Sequence, residues 1–334
     1  MPWGLGWANK VTSLVLDKET GRKRVREMLE LFEDADVICL QEVWDTVLHR
    51  WSDVVREEAE AFGFQVSAAP IPCGYPVNSG LAILSKYAVS DASSHVFGAS
   101  SGLQWFVPKG FQHVMLLTEA YEVFHVLNTH IHATAVDTAL CNSPHKSIRI
   151  QQRQIMQISK YMRENILPPH LTPSPVKGSI DDHVPLVILS GDFNVDAINA
   201  VPDTSTVTFA WLESHFRLRF KMRHMSEEAE EHLVTYPFFS LPVSQLVDRS
   251  VYEKQFALDH IFSTYPFHDT PTTLRLYDTT ADCNFSDHAA VQVDIYKTRD
   301  VHTTTTTALA THTIQHVIES LNEPTFLKRT IGRM

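Results

Sequence analysis

Cysteine is scarce in this chain: four residues in 334, at Cys39, Cys73, Cys141 and Cys283, with no CxxC pair. That excludes a zinc-binding signature and a disulfide framework, and Cys39, inside an apolar run, reads as a small core residue. Long apolar stretches are missing as well, and none approaches the roughly 20 residues of a membrane span. The opening residues, MPWGLGWANK, lack the charged-then-apolar order of a secretory leader. Basic residues are in deficit, 28 Lys and Arg against 39 Asp and Glu, for a formal net charge of −11. Coating a phosphate backbone needs a basic face, so no stable nucleic-acid partner is expected. An acidic balance does fit a site that holds a divalent cation. There is no internal repeat.

What is present is a series of short apolar runs, each ending in polar groups. The most informative is LVILSGDFNVD (Leu186–Asp196). Its four leading apolar residues predict a strand buried on both faces, and Asp192 and Asn194, two apart, share one side if the strand continues. Taken alone, Gly-Asp-x-Asn reads better as an Asx-rich turn. Similar runs are VICLQEVW (Val37–Trp44), ending in Gln41-Glu42, LAILS (Leu81–Ser85), FALDHIF (Phe256–Phe262) and AVQVDIY (Ala290–Tyr296). Residues 111–133 predict a hairpin turning at Glu119-Ala120, whose second strand delivers Asn128, His130 and His132. A phosphate-contacting histidine is the preferred reading there over a two-histidine metal pair. Apolar residues three to four apart predict helices over 22–36, Leu48–Phe62, Ser147–Ile166 and Thr206–Arg217. Val89–Phe106 reads as irregular, and Trp105-Phe106 is a candidate for lipid contact, although a core contact is the more frequent fate of such a pair.

Polar groups at the runs, with Asp259-His260 interrupting FALDHIF and Asp287-His288 just before AVQVDIY, form a set: Glu42, His130, Asp192, Asn194, Asp259, Asp287 and His288. Phosphodiester hydrolysis gives each a task. Glu42 suits Mg²⁺, which takes oxygen ligands and keeps several waters. His288 suits a general base, with Asp259 fixing its tautomer. Asp192 and Asn194 would orient water and bind a phosphoryl oxygen, and His130 would stabilise charge in the transition state.

Six motifs, QE (Gln41-Glu42), GLAILS (Gly80–Ser85), NTHIHA (Asn128–Ala133), GDFN (Gly191–Asn194), LDHIF (Leu258–Phe262) and SDH (Ser286–His288), occur in this order. Together they resemble the endonuclease/exonuclease/phosphatase superfamily, which implies an α+β, deoxyribonuclease I-like fold: a two-sheet β-sandwich flanked by helices. Within it the chain is similar to neutral sphingomyelinases, on QEVWD (Gln41–Asp45), KGF (Lys109–Phe111), the Arg- and Gln-rich stretch Ile148–Gln154 and GDFNVD. That resemblance implies cleavage of sphingomyelin to ceramide and phosphocholine with Mg²⁺, or Mn²⁺ in its place. It makes Glu42 the metal ligand with Asp287 assisting, His288 the base and Asp259 its partner. Asp192, Asn194 and His130 then serve the phosphate and the water. It also implies a phospholipid substrate met by peripheral contact with a membrane surface.

One departure stands out. Members of the family begin with a strand carrying a metal-contacting asparagine, and MPWG matches the turn just after it. A start at an internal methionine, or a truncation, is therefore expected, with neighbouring strands left short of a partner. Residues 1–297 are read as the catalytic domain. Residues 298–334 are read as a threonine-rich linker (Thr303–Thr307) and a helix from Ala308 to Leu321. Two rival readings remain: a nuclease or inositol-polyphosphate phosphatase on the same fold, and a non-catalytic lipid- or protein-binding relative.

Overall fold

The computed structural model describes residues 18–46, 50–98, 107–120, 122–133, 144–167, 184–197, 207–225, 258–265, 273–275, 290–296 and 326–331. Among the described residues the helices are α1 (Lys18–Leu31), α2 (Trp51–Ala61), α3 (Pro144–Asn165) and α4 (Phe209–Phe220). Strands β1 (Val37–Leu40), β2 (Gln65–Ala68), β3 (Ala82–Ser85), β10 (Thr273–Arg275), β11 (Ala290–Tyr296) and β12 (Phe326–Ile331) form one sheet, ordered β10-β11-β12-β1-β3-β2. The second sheet runs β4 (Ala88–Val96), β5 (Gly110–Leu117), β6 (Val123–His130), β7 (Leu186–Asp192), β9 (Asp259–Ser263), β8 (Arg223–His224).

Layering follows from the continuous apolar runs. Side chains alternate along a strand, so a run without polar interruption must bury both of its faces. Ile188 packs between the sheets with Val37, Cys39, Ile83, Val114, Val126 and Ile261. Its neighbours Val187 and Leu189 face the other way, against Ile155, Ile158 and Met162 of α3 and Leu212 and Phe216 of α4. On the opposite side Ile38, Leu40, Ala82 and Leu84 pack under Val25, Met28, Leu29, Val54 and Val55 of α1 and α2. The result is helices, sheet, sheet, helices, as the sequence predicts.

Three local differences have physical causes. Residues 88–96, read as irregular, form β4, paired along its length with β5 and bulged between Val89 and Asp91. Its sequence, AVSDASSHV, has few apolar residues because it is a largely solvated edge strand. The helix expected from residue 22 begins at Lys18, so Gly21 lies inside α1, where a Cβ would sit 2.0 Å from the Trp51 ring of α2. The glycine lets two helices approach closely. The third is β12, for which the sequence gives no sign: it lies parallel to β1 and antiparallel to β11, and fills the place between them. The helix expected over 308–321 and the threonine run lie outside the described residues, as does Trp105-Phe106.

Helices α1 and α2 are also joined by charge. Glu58, with 7% of its side chain exposed, accepts hydrogen bonds from Arg22 Nη1 at 2.9 Å and from Arg26 Nε and Nη2 at 3.0 and 2.8 Å. Burial acts to raise the Glu58 pKa, but the bonds from Arg26 and Arg22 outweigh it and hold the carboxyl below its ordinary range. Glu58→Gln is expected to lower stability by about 1 kcal/mol, less at high salt. Urea unfolding at low and high ionic strength measures this, and a salt-independent loss would assign the effect to packing.

Candidate active site

The polar run ends meet at one rim of the sandwich because of strand direction. β6 and β7 are parallel and both end there; β9 is antiparallel to β7 and begins there. Register then sets His130 beside Asp192 and Asp192 beside Asp259 on three successive strands. Gly191, just before Asp192, has φ +137, and a Cβ on it would lie 2.0 Å from Thr129 O, so only glycine fits this pairing.

The first sheet supplies Glu42. Beyond β1 the chain turns through Glu42 at φ 66, a left-handed conformation that costs a non-glycine residue about 1–3 kcal/mol and persists only where its surroundings hold it. Val43 N bonds Gly80 O at 2.9 Å, and Asn78 Oδ1 accepts from Asp45 N at 2.9 Å and Gly80 N at 3.1 Å. Asp45 accepts from Ser52 N and Oγ at 2.8 and 2.5 Å, tying the turn to the first turn of α2. Asp45 of QEVWD is thus structural, whereas Glu42 lies 4.0 Å from His130 at the rim. Between the sheets, Gln41 Nε2 donates to Asn128 Oδ1 at 2.7 Å, and Asn128 Nδ2 donates to the Leu40 and Ala82 carbonyls at 2.8 and 3.1 Å.

At the centre, His130 Nε2 lies 3.1 Å from Asp192 Oδ2 and 4.0 Å from Glu42 Oε1. Asn194, left-handed at φ 48, donates from its backbone N to Asp192 Oδ1 and from Nδ2 to Asp192 Oδ2 and Ile131 O, each at 2.9 Å. Lys109 Nζ lies 3.1 Å from His130 Nδ1 and 2.5 Å from its Nε2, on the nitrogen that also faces Asp192. The structure therefore unites Glu42, His130, Asp192 and Asn194 and places Asp259 on the adjacent strand. Asp287 and His288 lie outside the described residues.

Sequence reasoning quoted Lys109 only as part of a motif and gave it no role. Its side chain is carried by the residue preceding β5, and nothing in the local pattern separates it from a surface lysine.

The donor set accommodates a divalent cation. Glu42 and Asp192 bring two carboxylates, with 7% and 0% of their side chains exposed, to a nearly dry rim, and carboxylate oxygens of this kind suit a hard cation. Among the described residues no group of three or more His, Cys, Asp or Glu side chains is arranged to hold a metal, so a closed protein cage of the zinc type is not found there. Mg²⁺ needs no such cage, since one or two carboxylates and its own waters suffice. Gln41 Oε1, next to Glu42, is buried without a hydrogen-bond partner among the described residues, an acceptor ready for a donor from that side.

The family model described as Endonuclease/Exonuclease/phosphatase family matches residues 13–288. A sequence search of curated proteins finds no match. By structure, the chain is similar to beta toxin from Staphylococcus aureus (18% identity, TM-score 0.53, covering 80% of this chain and 90% of that one). It is also similar to an endonuclease/exonuclease/phosphatase family protein from Leptotrichia buccalis (16%, TM-score 0.50, 83% and 94%). A further neighbour is sphingomyelinase C from Streptomyces griseocarneus (18%, TM-score 0.49, 73% and 76%). With the family match spanning most of the chain and the rim built as described, this protein belongs to the endonuclease/exonuclease/phosphatase family of phosphoester hydrolases, on the deoxyribonuclease I-like fold.

Proposed function

We propose that the protein is a Mg²⁺-dependent phosphodiesterase that hydrolyses sphingomyelin to ceramide and phosphocholine. The observation that carries the catalytic part is the buried cluster Glu42–His130–Asp192–Asn194 with Lys109 against the histidine. Glu42, with Asp287, would hold the cation, whose charge offsets that of the phosphoryl oxygens when it is bound; Mn²⁺ is the expected substitute. Asp192 orients the His130 ring, which with the Lys109 ammonium beside it would stabilise the charge that develops on phosphate. Asn194 spends its amide protons on Asp192 and Ile131, which leaves its side-chain oxygen to orient water. His288 would take the proton of the attacking water, oriented by Asp259.

The lipid substrate is supported by the motifs QEVWD, KGF and GDFNVD. Of these, KGF supplies Lys109, which lies against His130, and Asp45 of QEVWD braces the Glu42 turn from outside the cluster. The phospholipid would be met at a membrane surface by peripheral contact. No helix among the described residues is long and apolar enough to cross a membrane. The acidic balance disfavours a nuclease, while the same cluster would also serve an inositol phosphate.

Phosphocholine release from sphingomyelin vesicles tests the reading. Turnover is expected with Mg²⁺ and is expected to vanish on chelation and return with Mg²⁺ or Mn²⁺. Cleavage of DNA or of an inositol phosphate in place of sphingomyelin would keep the chemistry and refute the substrate.

A further inference from the structure

Helix α3 carries two glutamines, Gln151 and Gln154, both fully buried. Gln151 Nε2 donates to His132 O at 3.0 Å and to Asn194 O at 3.1 Å, and Gln151 Oε1 accepts from Val207 N at 3.1 Å. Both amide protons and the carbonyl oxygen are in use. The reversed amide would set an oxygen against two carbonyls, so the network itself decides the orientation. Gln154 Oε1 accepts from His132 N at 2.9 Å. One helix face therefore ties together the segment after β6, the segment after β7 and the segment before α4.

Two of those segments bear the cluster. Asn194 sits at φ 48, in the left-handed region that asparagine enters more readily than other non-glycine residues, and here its backbone is bonded on both sides. Its carbonyl is held by Gln151, while its own N–H and Nδ2 hold both oxygens of Asp192. His132, clasped at its N–H by Gln154 and at its carbonyl by Gln151, lies two residues beyond His130. A chain of contacts thus runs from the helix through Asn194 to Asp192 and on to His130.

We propose that Gln151 is a positioning residue for catalysis: it holds Asn194 left-handed and so fixes the Asp192 carboxylate against His130. It contacts neither substrate nor metal. The inference rests on the reading of this rim as the catalytic site and extends it to a residue on the supporting helix.

Hydrogen exchange on the full chain tests this without reference to substrate. In Gln151→Met, exchange at the His132 and Asn194 amides is expected to rise at least about tenfold, with the β4–β5 hairpin unchanged. The kinetic arm uses bis(4-nitrophenyl) phosphate with Mg²⁺. Gln151→Met is expected to lower kcat by about 10- to 100-fold with KM within about twofold. Gln151→Met/Asn194→Ala is expected to be no slower than Asn194→Ala alone, because the glutamine acts through the asparagine. Unchanged exchange at both amides, a uniform rise across the sheets, or losses that multiply in the double variant would each overturn the proposal. Gln151→Glu takes the same measurements if the methionine variant does not fold. A chain that cleaves the nitrophenyl diester but not sphingomyelin refutes the lipid substrate and leaves Gln151 decided by exchange and by the cycle. A chain that cleaves neither leaves it decided by exchange.

Discussion

Asp192→Asn is expected to reduce kcat by about 10²–10⁴-fold while the protein stays folded. The substitution keeps shape and volume but removes an acceptor. Among the described residues the Asp192 carboxylate accepts from Asn194 N on Oδ1 and from Asn194 Nδ2 on Oδ2, and His130 Nε2 lies 3.1 Å from Oδ2. An asparagine offers one oxygen in place of two, so whichever way its amide turns, an N–H faces another N–H. Turned one way it repels the Asn194 backbone; turned the other it repels the histidine and the Asn194 side chain. Either arrangement frees His130 to rotate and removes negative charge from the cation side of the site. Glu42→Gln should act differently, raising the Mg²⁺ concentration needed for half-maximal rate more than it lowers the saturated rate. Steady-state kinetics across a Mg²⁺ series, with thermal unfolding as the fold control, reads both effects. An Asp192→Asn enzyme within tenfold of the parent would remove Asp192 from the site.

The second large effect is on stability in acid. His113 sits in a hydrogen-bonded network: its Nε2 lies 3.0 Å from His125 Nδ1 and its Nδ1 lies 2.9 Å from Tyr161 Oη, which in turn lies 2.9 Å from Ser93 Oγ. Burial, then the neighbouring His125, pushes the His113 pKa down to about 4, with Asp91 opposing and His95 adding to the decrease. His215, whose Nε2 lies 2.6 Å from Ser159 Oγ, is likewise lowered to about 4 by burial and by Arg219. His95 and His125 are shifted in the same direction by burial. The sign follows from linkage. Each imidazole is neutral when folded and takes up a proton near pH 6.5 when unfolded, so the unfolded state binds more protons as pH falls.

Their contribution is complete above pH 6.5, declines as pH falls below it and levels off below about 4. Allowing for solvent screening of the two rings, His113 and His215 together should remove on the order of 2–4 kcal/mol across that window. Both join helices to the second sheet or to each other: Tyr161 and Ser159 are on α3, His113 on β5 and His215 on α4. Urea unfolding between pH 7 and 4.5 measures the slope. His113→Asn and His215→Asn should each flatten it, and an unfolding free energy constant from pH 7 to 5 would contradict the assignment.

Much of the architecture was legible in the sequence for a simple reason. Strands buried on both faces must be continuously apolar, so Leu186–Leu189, Val37–Leu40 and Leu81–Leu84 mark themselves, and the charged residue that ends each run marks a rim. The edge strand β4 escaped because a solvated strand of small polar residues has the composition of a loop. Gln151 also left a trace that was passed over. With Ile148, Ile155, Ile158 and Met162 it falls on the packed stripe of α3, where a glutamine must find partners, and here they are backbone groups of two site loops.

The sequence by itself determined where polar residues end or interrupt the apolar runs, because such runs are local properties of the chain. It thereby marked the candidates Glu42, His130, Asp192, Asn194 and Asp259, while the layering came from the family resemblance and Asp259, read inside a strand over Phe256–Phe262, begins β9. Only the tertiary structure decided which of these meet. Glu42 reaches His130 across two sheets, Lys109 turns onto that histidine, and Gln151 reaches Asn194 from a helix 43 residues away in sequence. The place of Phe326–Ile331 between β1 and β11 was decided there as well. Such contacts depend on strand order and on the pairing of open sheet edges, and backbone hydrogen bonds to an edge carry little sequence information of their own.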